Sequence, residues 1–231
     1  MAAFSDPKAL GELPLFHNLP LEQLRYINNQ LRRKTFPAGT DVVTAEQPGE
    51  VAYVILEGTV KIHIEQADGS TVILAILGAG EIFGEMSILE KIGRSATVVT
   101  LEDATIIWMD RLVFEECLRS MPQMNYNLVR VFSRRLRLAN AQIQSLATLD
   151  VFGRVARQLL AFAQEYGRPM ADGSTLIPLR LTQSDLAGMV GASRVRVNQV
   201  LGFYRQQNYI AVDQDARITV LDRDALLQRC Q

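Results

Sequence analysis

The stretch Gly80-Glu81-Ile82-Phe83-Gly84-Glu85-Met86-Ser87-Ile88-Leu89-Glu90 is closely followed by Gly93-Arg94-Ser95-Ala96. Together they hold the residue types needed to bind a small anion that also carries hydroxyl groups. Gly84 lets a main chain come close to a ligand. Arg94 can grip a phosphate through two parallel N–H bonds. The Ser95 hydroxyl can donate to the same group, and the turn that begins at Met86 offers main-chain N–H groups. Glu85 is an acceptor beside them and suits a sugar hydroxyl. One carboxylate, one guanidinium, one hydroxyl and a helix start fit a sugar bearing a cyclic phosphate. The same spacing also fits a surface ion pair between Glu85 and Arg94 in a structural loop.

A second constellation runs from Leu181 to Leu201. Thr182-Gln183-Ser184-Asp185 has a hydroxyl at a helix cap and a carboxylate three residues on, a capping box. Gly191-Ala192-Ser193 interrupts the helix, and Arg194 to Gln206 reads as a second one. Leu186, Ala187 and Val190 can face Val197, Val200 and Leu201, with Gly191 in the turn, as in two crossed helices. The outward face then carries Ser193, Arg194, Arg196, Asn198 and Gln199, which can bond guanine or adenine edges or phosphates. Expected DNA contacts are Thr182, Gln183, Ser184, Ser193, Arg194, Val195, Arg196, Asn198 and Gln199. The competing reading is a helical pair with a solvated polar face. Against it, no acid lies between Ser193 and Gln206.

Both constellations need elements to hold them. Residues 10–32 read as helical, with an apolar stripe broken by Pro14 and Pro20. From 34 to 110 short β runs alternate with glycine turns: 51–56, 59–64, 71–77, 96–99 and 104–109. Asp68-Gly69 between two runs signals a hairpin, and the regular spacing suggests a small barrel or sandwich. Arg111 to Ser120 is a short helix. Pro122 then opens a long one to about Leu149. Val129, Phe132, Leu136, Ala139, Ile143 and Leu146 recur along it at steps of three and four, a heptad seam suited to a partner helix in a two-fold dimer. Packing against its own domain is the alternative. Val151 to Tyr166 is helical, Leu176 to Leu181 strand-like, and Ile210–Val212 with Ile218–Val220 a hairpin.

The chain has 231 residues, 48% of them hydrophobic and 21% charged, enough for two domains. No apolar run is long enough to span a membrane and no secretory signal is visible, so a cytoplasmic protein is expected. Cys117 and Cys230 are too far apart in sequence for a metal or disulfide framework, and read as ordinary small hydrophobes. The net charge of −1 advertises no nucleic acid. From Asp150 onward, however, every basic residue is arginine, ten against eight acids. DNA binding must therefore rest on local placement. No nucleophile–base constellation is visible, so no catalysis is expected.

Taken in order, the Gly84-Glu85…Arg94-Ser95-Ala96 cassette, the long helix and the helix pair resemble the cyclic AMP receptor protein branch of the CRP/FNR superfamily of transcription regulators. The resemblance covers nearly the whole chain, and no iron–sulfur cysteines of the oxygen-sensing branch are present. It implies an α+β fold: an N-terminal cyclic-nucleotide-binding β-roll, jelly-roll-like, over 1–110, a helical region with a long dimerisation helix over 111–149, and a C-terminal winged helix-turn-helix over 150–231. Leu149-Asp150-Val151-Phe152-Gly153-Arg154 resembles the family's hinge. The implied ligand is a cyclic nucleotide, cAMP before cGMP, with no cofactor and no metal. The implied partners are double-stranded DNA with a two-fold symmetric operator, a second copy of the chain and RNA polymerase, with no membrane.

Carried over by motif, the ligand residues are Gly84, Glu85, Met86, Arg94, Ser95, Arg135, Ala139 and Asn140. Gly84 and Ser95 would meet the phosphate, Arg94 would be its counter-charge and Glu85 would take the ribose. In the family a hydroxyl residue on the long helix, with its neighbour, receives the base; here these are Ala139 and Asn140. Glu46 stands where many members have glycine. On the second helix of the pair Arg194 matches the family, while Val195 and Gln199 depart from it and imply a different half-site. Three alternatives stay open: a regulator answering to no nucleotide or another metabolite, a cyclic-nucleotide-binding subunit acting on another protein, and a haem sensor using His17 or His63.

Overall fold

The computed structural model describes residues 3–65 and 71–230. The chain divides into two compact units. One runs to Glu65 and resumes over Leu74–Arg135; the other runs from Leu136 to the C-terminal end and includes the start of the strand that begins at Thr71.

In the first unit two 3-10 turns, Pro7–Glu12 and Pro14–Phe16, lead into α1 (Leu21–Gln30). Proline opens both turns, which is why the apolar stripe over 10–32 is not one helix. Eight strands follow: β1 (Arg32–Phe36), β2 (Asp41–Val43), β3 (Val51–Glu57), β4 (Val60–Glu65), β5 (Thr71–Leu77), β6 (Ile82–Phe83), β7 (Thr97–Thr100) and β8 (Ala104–Asp110). They form two four-stranded sheets, ordered β1-β8-β3-β6 and β2-β7-β4-β5. Between β6 and β7 lies the short helix α2 (Glu85–Glu90). The hairpin expected at Asp68-Gly69 lies outside the described residues.

Side-chain alternation explains how the sheet carrying β3 and β8 is covered on both faces. Ile55 and Ile106 point into the core shared by the two sheets, with Val43, Val60, Phe83 and Val98. Ala52, Val54, Ile107 and Met109 point the other way, into a core built with α1, α3 (Arg111–Ser120) and the start of α4 (Pro122–Thr148). Strands buried on both faces read as continuous apolar runs. β1 was not foreseen, because Arg32, Arg33, Lys34 and Thr35 are all exposed.

The second unit holds the remainder of α4, α5 (Val151–Tyr166), β9 (Arg168–Pro169), β10 (Thr175–Ile177), α6 (Gln183–Val190), α7 (Arg194–Gln206), β11 (Ile210–Val212), β12 (Ile218–Val220) and α8 (Arg223–Gln228). Its sheet is ordered β11-β12-β10-β9. The strand expected over Leu176–Leu181 ends at Ile177, because Pro178 has no N–H for the ladder. β9 and α8 were not foreseen. The Asp213 carboxylate accepts from the N–H groups of Asp215 (2.9 Å) and Arg217 (2.8 Å), closing the β11–β12 wing. Among the described residues no helix is long and apolar enough to cross a membrane, and no cluster of three His, Cys, Asp or Glu could hold a metal.

Candidate functional site

The cassette of the first unit folds around Arg94. Gly84 ends β6 and caps α2 at φ +80°, in the left-handed region, and a Cβ there would stand 2.6 Å from Arg94 Nη1. The absent side chain is what lets the guanidinium reach the main chain. Nη1 donates to the Gly84 carbonyl (2.7 Å) and Nη2 to the Val51 carbonyl (2.9 Å), while the Tyr53 ring lies 5.8 Å beneath the guanidinium carbon. Tyr53 itself is stacked on Phe83 at 4.9 Å. Arg94 is 7% exposed. Burial pushes its guanidinium below the ordinary value, with Tyr53 and Glu85 pulling the other way. This buried cation is thus held by carbonyl dipoles and a ring face rather than by a carboxylate bond.

Glu85 does not form the surface ion pair with Arg94 that the spacing also allowed. It is 1% exposed, and its carboxylate accepts from Arg135 Nη1 at 2.8 Å. Burial pushes its carboxyl up and Arg135 pulls it down. Arg135 also bonds Glu81 (3.1 Å) and the Ile82 carbonyl, and Arg134 pairs with Glu81. Glu81 and Arg134 were missed as members of this network. The Arg134-Arg135 doublet opposite two buried acids was the available signal. Met86 and Ser95 are exposed beside the cassette. Ala139 and Asn140 lie further along α4, both exposed.

Along α4 two apolar faces separate. Met124, Leu128 and Val131 are buried in the first unit. On the other face Leu136 is 63% and Ile143 65% exposed, with Val129, Ala139 and Leu146 also exposed. Their own domain leaves these residues uncovered. Phe132, expected in the same seam, is half-buried and packs in part against the core of its own unit. Leu146 has a second neighbour, since a Cβ on Gly191 would lie 3.3 Å from its Cδ2.

In the second unit Thr182 and Asp185 form the expected capping box, Gly191 closes α6 at φ +59°, and Ser193 caps α7 by accepting from Arg196 N (3.2 Å). The Thr182 hydroxyl accepts from Asp185 N and donates to the Asp185 carboxylate, while the Ser193 oxygen accepts from the backbone. Leu186, Ala187 and Val190 are buried with Val197, Val200 and Leu201. Thr182, Gln183, Ser184, Arg194, Asn198 and Arg205 line a groove of about 230 Å³ between α6, α7 and the wing. Arg196 is not among them. Its guanidinium lies 5.3 Å from the Phe152 ring centroid and donates to Gln199.

Cys117 is fully buried and burial pushes its thiol up to about 11, so it holds its proton as a core residue. Cys230 is half-buried, with its thiol near the Gly153 and Leu226 carbonyls.

The family described as cyclic nucleotide-binding domain matches residues 33–121, and that described as Crp-like helix-turn-helix domain matches residues 153–229. The chain is 32% identical over 222 residues to the CRP-like cAMP-activated global transcriptional regulator of Mycobacterium tuberculosis, covering 96% of this chain and 98% of the relative. FixK2 from Bradyrhizobium japonicum has the same fold, with TM-score 0.74 at 19% identity over 87% of this chain and 98% of that one. So does the c-di-GMP responsive global regulator CLP from Xanthomonas campestris, with TM-score 0.70 at 24% identity over 87% and 99%. With both family models matched in this order and a relative matched over nearly its whole length, the chain belongs to the CRP/FNR family of DNA-binding transcription regulators, with a cyclic nucleotide-binding domain ahead of its helix-turn-helix.

Proposed function

We propose that the chain acts as a homodimer whose hold on a two-fold symmetric DNA operator is set by a cyclic nucleotide, cAMP before cGMP. The observation that carries the reading is Arg94. A guanidinium sunk in the β-roll and held by two carbonyl oxygens and the Tyr53 ring, with no carboxylate bonded to it, keeps its positive charge for an anion, and a cyclic phosphate supplies one. Gly84 keeps the approach open, Ser95 offers a hydroxyl and Glu85 an acceptor for the ribose. Asn140, with Ala139 beside it, would meet the base.

The uncovered stripe Val129, Leu136, Ala139, Ile143 and Leu146 supports the dimer. A second α4 would bury it, and water is a poor neighbour for five apolar side chains in register. Two α7 helices one DNA turn apart, about 34 Å, then read a palindrome. The nucleotide acts by binding one arrangement of the dimer more tightly than the other. The DNA-bound dimer activates or represses by contacting or blocking RNA polymerase.

Calorimetry with cAMP and with cGMP, on the wild type and Arg94→Ala, tests the pocket. Loss of ligand heat in the variant is expected, and equal binding by both proteins overturns the reading. A second reading, control by another metabolite or by none, is favoured by one observation: Ala139 offers neither donor nor acceptor. It predicts DNA binding unchanged by either nucleotide.

A further inference from the structure

The exposed residues of α7 fall into three groups that are not equivalent. Val197, Val200, Leu201 and Tyr204 are buried and define the inward face. Diametrically outward, at steps of four, three and four, stand Val195, Gln199, Gly202 and, in the last turn, Gln206. Val195 is 69% exposed, and a Cβ on Gly202 would meet nothing within 4 Å. Arg194 and Asn198 turn to one flank and line the groove with α6 and the wing. Arg196 turns to the other flank. The crest of the helix, the part that enters deepest between two DNA strands, therefore carries one apolar side chain, one bare backbone position and two amides, of which Gln199 lies in the turn next to Val195, and no charge.

Arg196 is held at both ends of its guanidinium. One face lies over Phe152 at 5.3 Å, and Nη1 donates to Gln199 Oε1 at 3.2 Å. An arginine can only donate, so the Gln199 atom facing it is the carbonyl oxygen. The Gln199 NH2 is left to point away from Arg196, and Gln199 becomes a donor toward a base. Beside it Val195 exposes methyl groups. The apolar group on a base-pair edge in the major groove is the thymine 5-methyl, and the acceptors there are thymine O4, guanine O6 and purine N7.

We propose that Val195 and Gln199 are the base-reading pair of α7, selecting a step that contains thymine, and that Arg196 is a positioning residue that fixes the Gln199 amide rather than a base or phosphate contact. This rests on the DNA-binding reading above. Arg194 and Asn198 then serve backbone placement from the groove.

The test begins with selection of duplexes from a random pool by the full-length protein, with cAMP present. Each thymine of the selected half-site is then replaced singly by deoxyuridine, which lacks only the 5-methyl. One thymine is expected to lose about fourfold in affinity, the worth of one buried methyl group. That loss should vanish in Val195→Ala, while affinity for random duplex stays the same. Gln199→Glu, which exchanges donor for acceptor, should move the preference at the adjoining base to one bearing an exocyclic amine. Arg196→Lys, which keeps a donor, should keep the Gln199 preference; Arg196→Met, which keeps a chain over Phe152 but no donor, should broaden it and leave the methyl effect intact. All three side chains are exposed, and equal thermal melting of the variants confirms folding. Enrichment of a half-site in which no thymine responds to methyl removal, or one that responds equally in Val195→Ala, overturns the proposal alone. A pool with no enrichment overturns the DNA reading with it.

Discussion

Arg135 on α4 holds the buried carboxylate of Glu85 at 2.8 Å, and the same guanidinium reaches Glu81 at 3.1 Å. The long helix is thereby fastened to the cassette through two buried acids. Removing Arg135 leaves Glu85 buried without its partner. Arg135→Ala should cost roughly 2–4 kcal/mol in denaturant unfolding, less than a fully stranded charge because Glu85 can take up a proton. The double variant Arg135→Met/Glu85→Leu should recover part of the loss.

The same pair sets a pH dependence. Burial raises the Glu85 carboxyl above its ordinary value of 4.5 in the folded chain. Between 4.5 and the raised value the folded state binds more protons than the unfolded one, so this group's contribution is present at lower pH and is lost as pH rises. Unfolding measured from pH 4 to 7 should show that fall in the wild type, a steeper one in Arg135→Ala, and none from this site in Glu85→Gln.

Gly84 ties conformation to binding. Alanine there meets both a left-handed φ of +80° and Arg94 Nη1 at 2.6 Å. Gly84→Ala should destabilise the first unit by about 1–2 kcal/mol. It should also lower nucleotide affinity more than tenfold by displacing the guanidinium; thermal melting and calorimetry on one preparation read both.

Leu136 and Ile143 stand more than 60% exposed on α4, so charging them disturbs neither unit's core. Leu136→Glu with Ile143→Glu should shift sedimentation from twice the chain mass to the chain mass, with unchanged melting of the DNA-binding unit. A dimer that survives both changes would place its seam elsewhere.

Gly202 is a helix-interior glycine facing open space. Gly202→Ala should stabilise the second unit by about 0.5–1 kcal/mol. If DNA approaches the crest closely, the same change should weaken operator binding. Stability and affinity moving in opposite directions is the signature of a position kept bare for a ligand.

Much of this architecture was legible in the residues. The heptad steps of α4, the capping box at Thr182 and Asp185, and the apolar runs of β3 and β8 each follow from a local rule. What was missed lacked a local pattern. β1 is a strand of exposed arginine, lysine and threonine, specified by pairing with β8 rather than by its own sequence. Arg135 was placed at the same site as Glu85 by resemblance, but the bond between them was not foreseen, because they lie 50 positions apart and no spacing rule reaches that far. The contact of Arg196 with Phe152 was not foreseen, because Phe152 sits in a different helix. The packing of Phe132 against the core of its own unit was likewise not legible from its heptad step.

The most direct test of the account is the coupling between the two sites. Affinity for cAMP is measured on the purified protein alone and again saturated with a selected duplex, and affinity for the duplex with and without cAMP. The account predicts that each ligand strengthens the other by the same factor, as linkage requires, with two nucleotides per dimer and no coupling in Arg94→Ala. Affinities that do not change, or a protein that binds its duplex equally tightly with the Arg94 pocket removed, would contradict it.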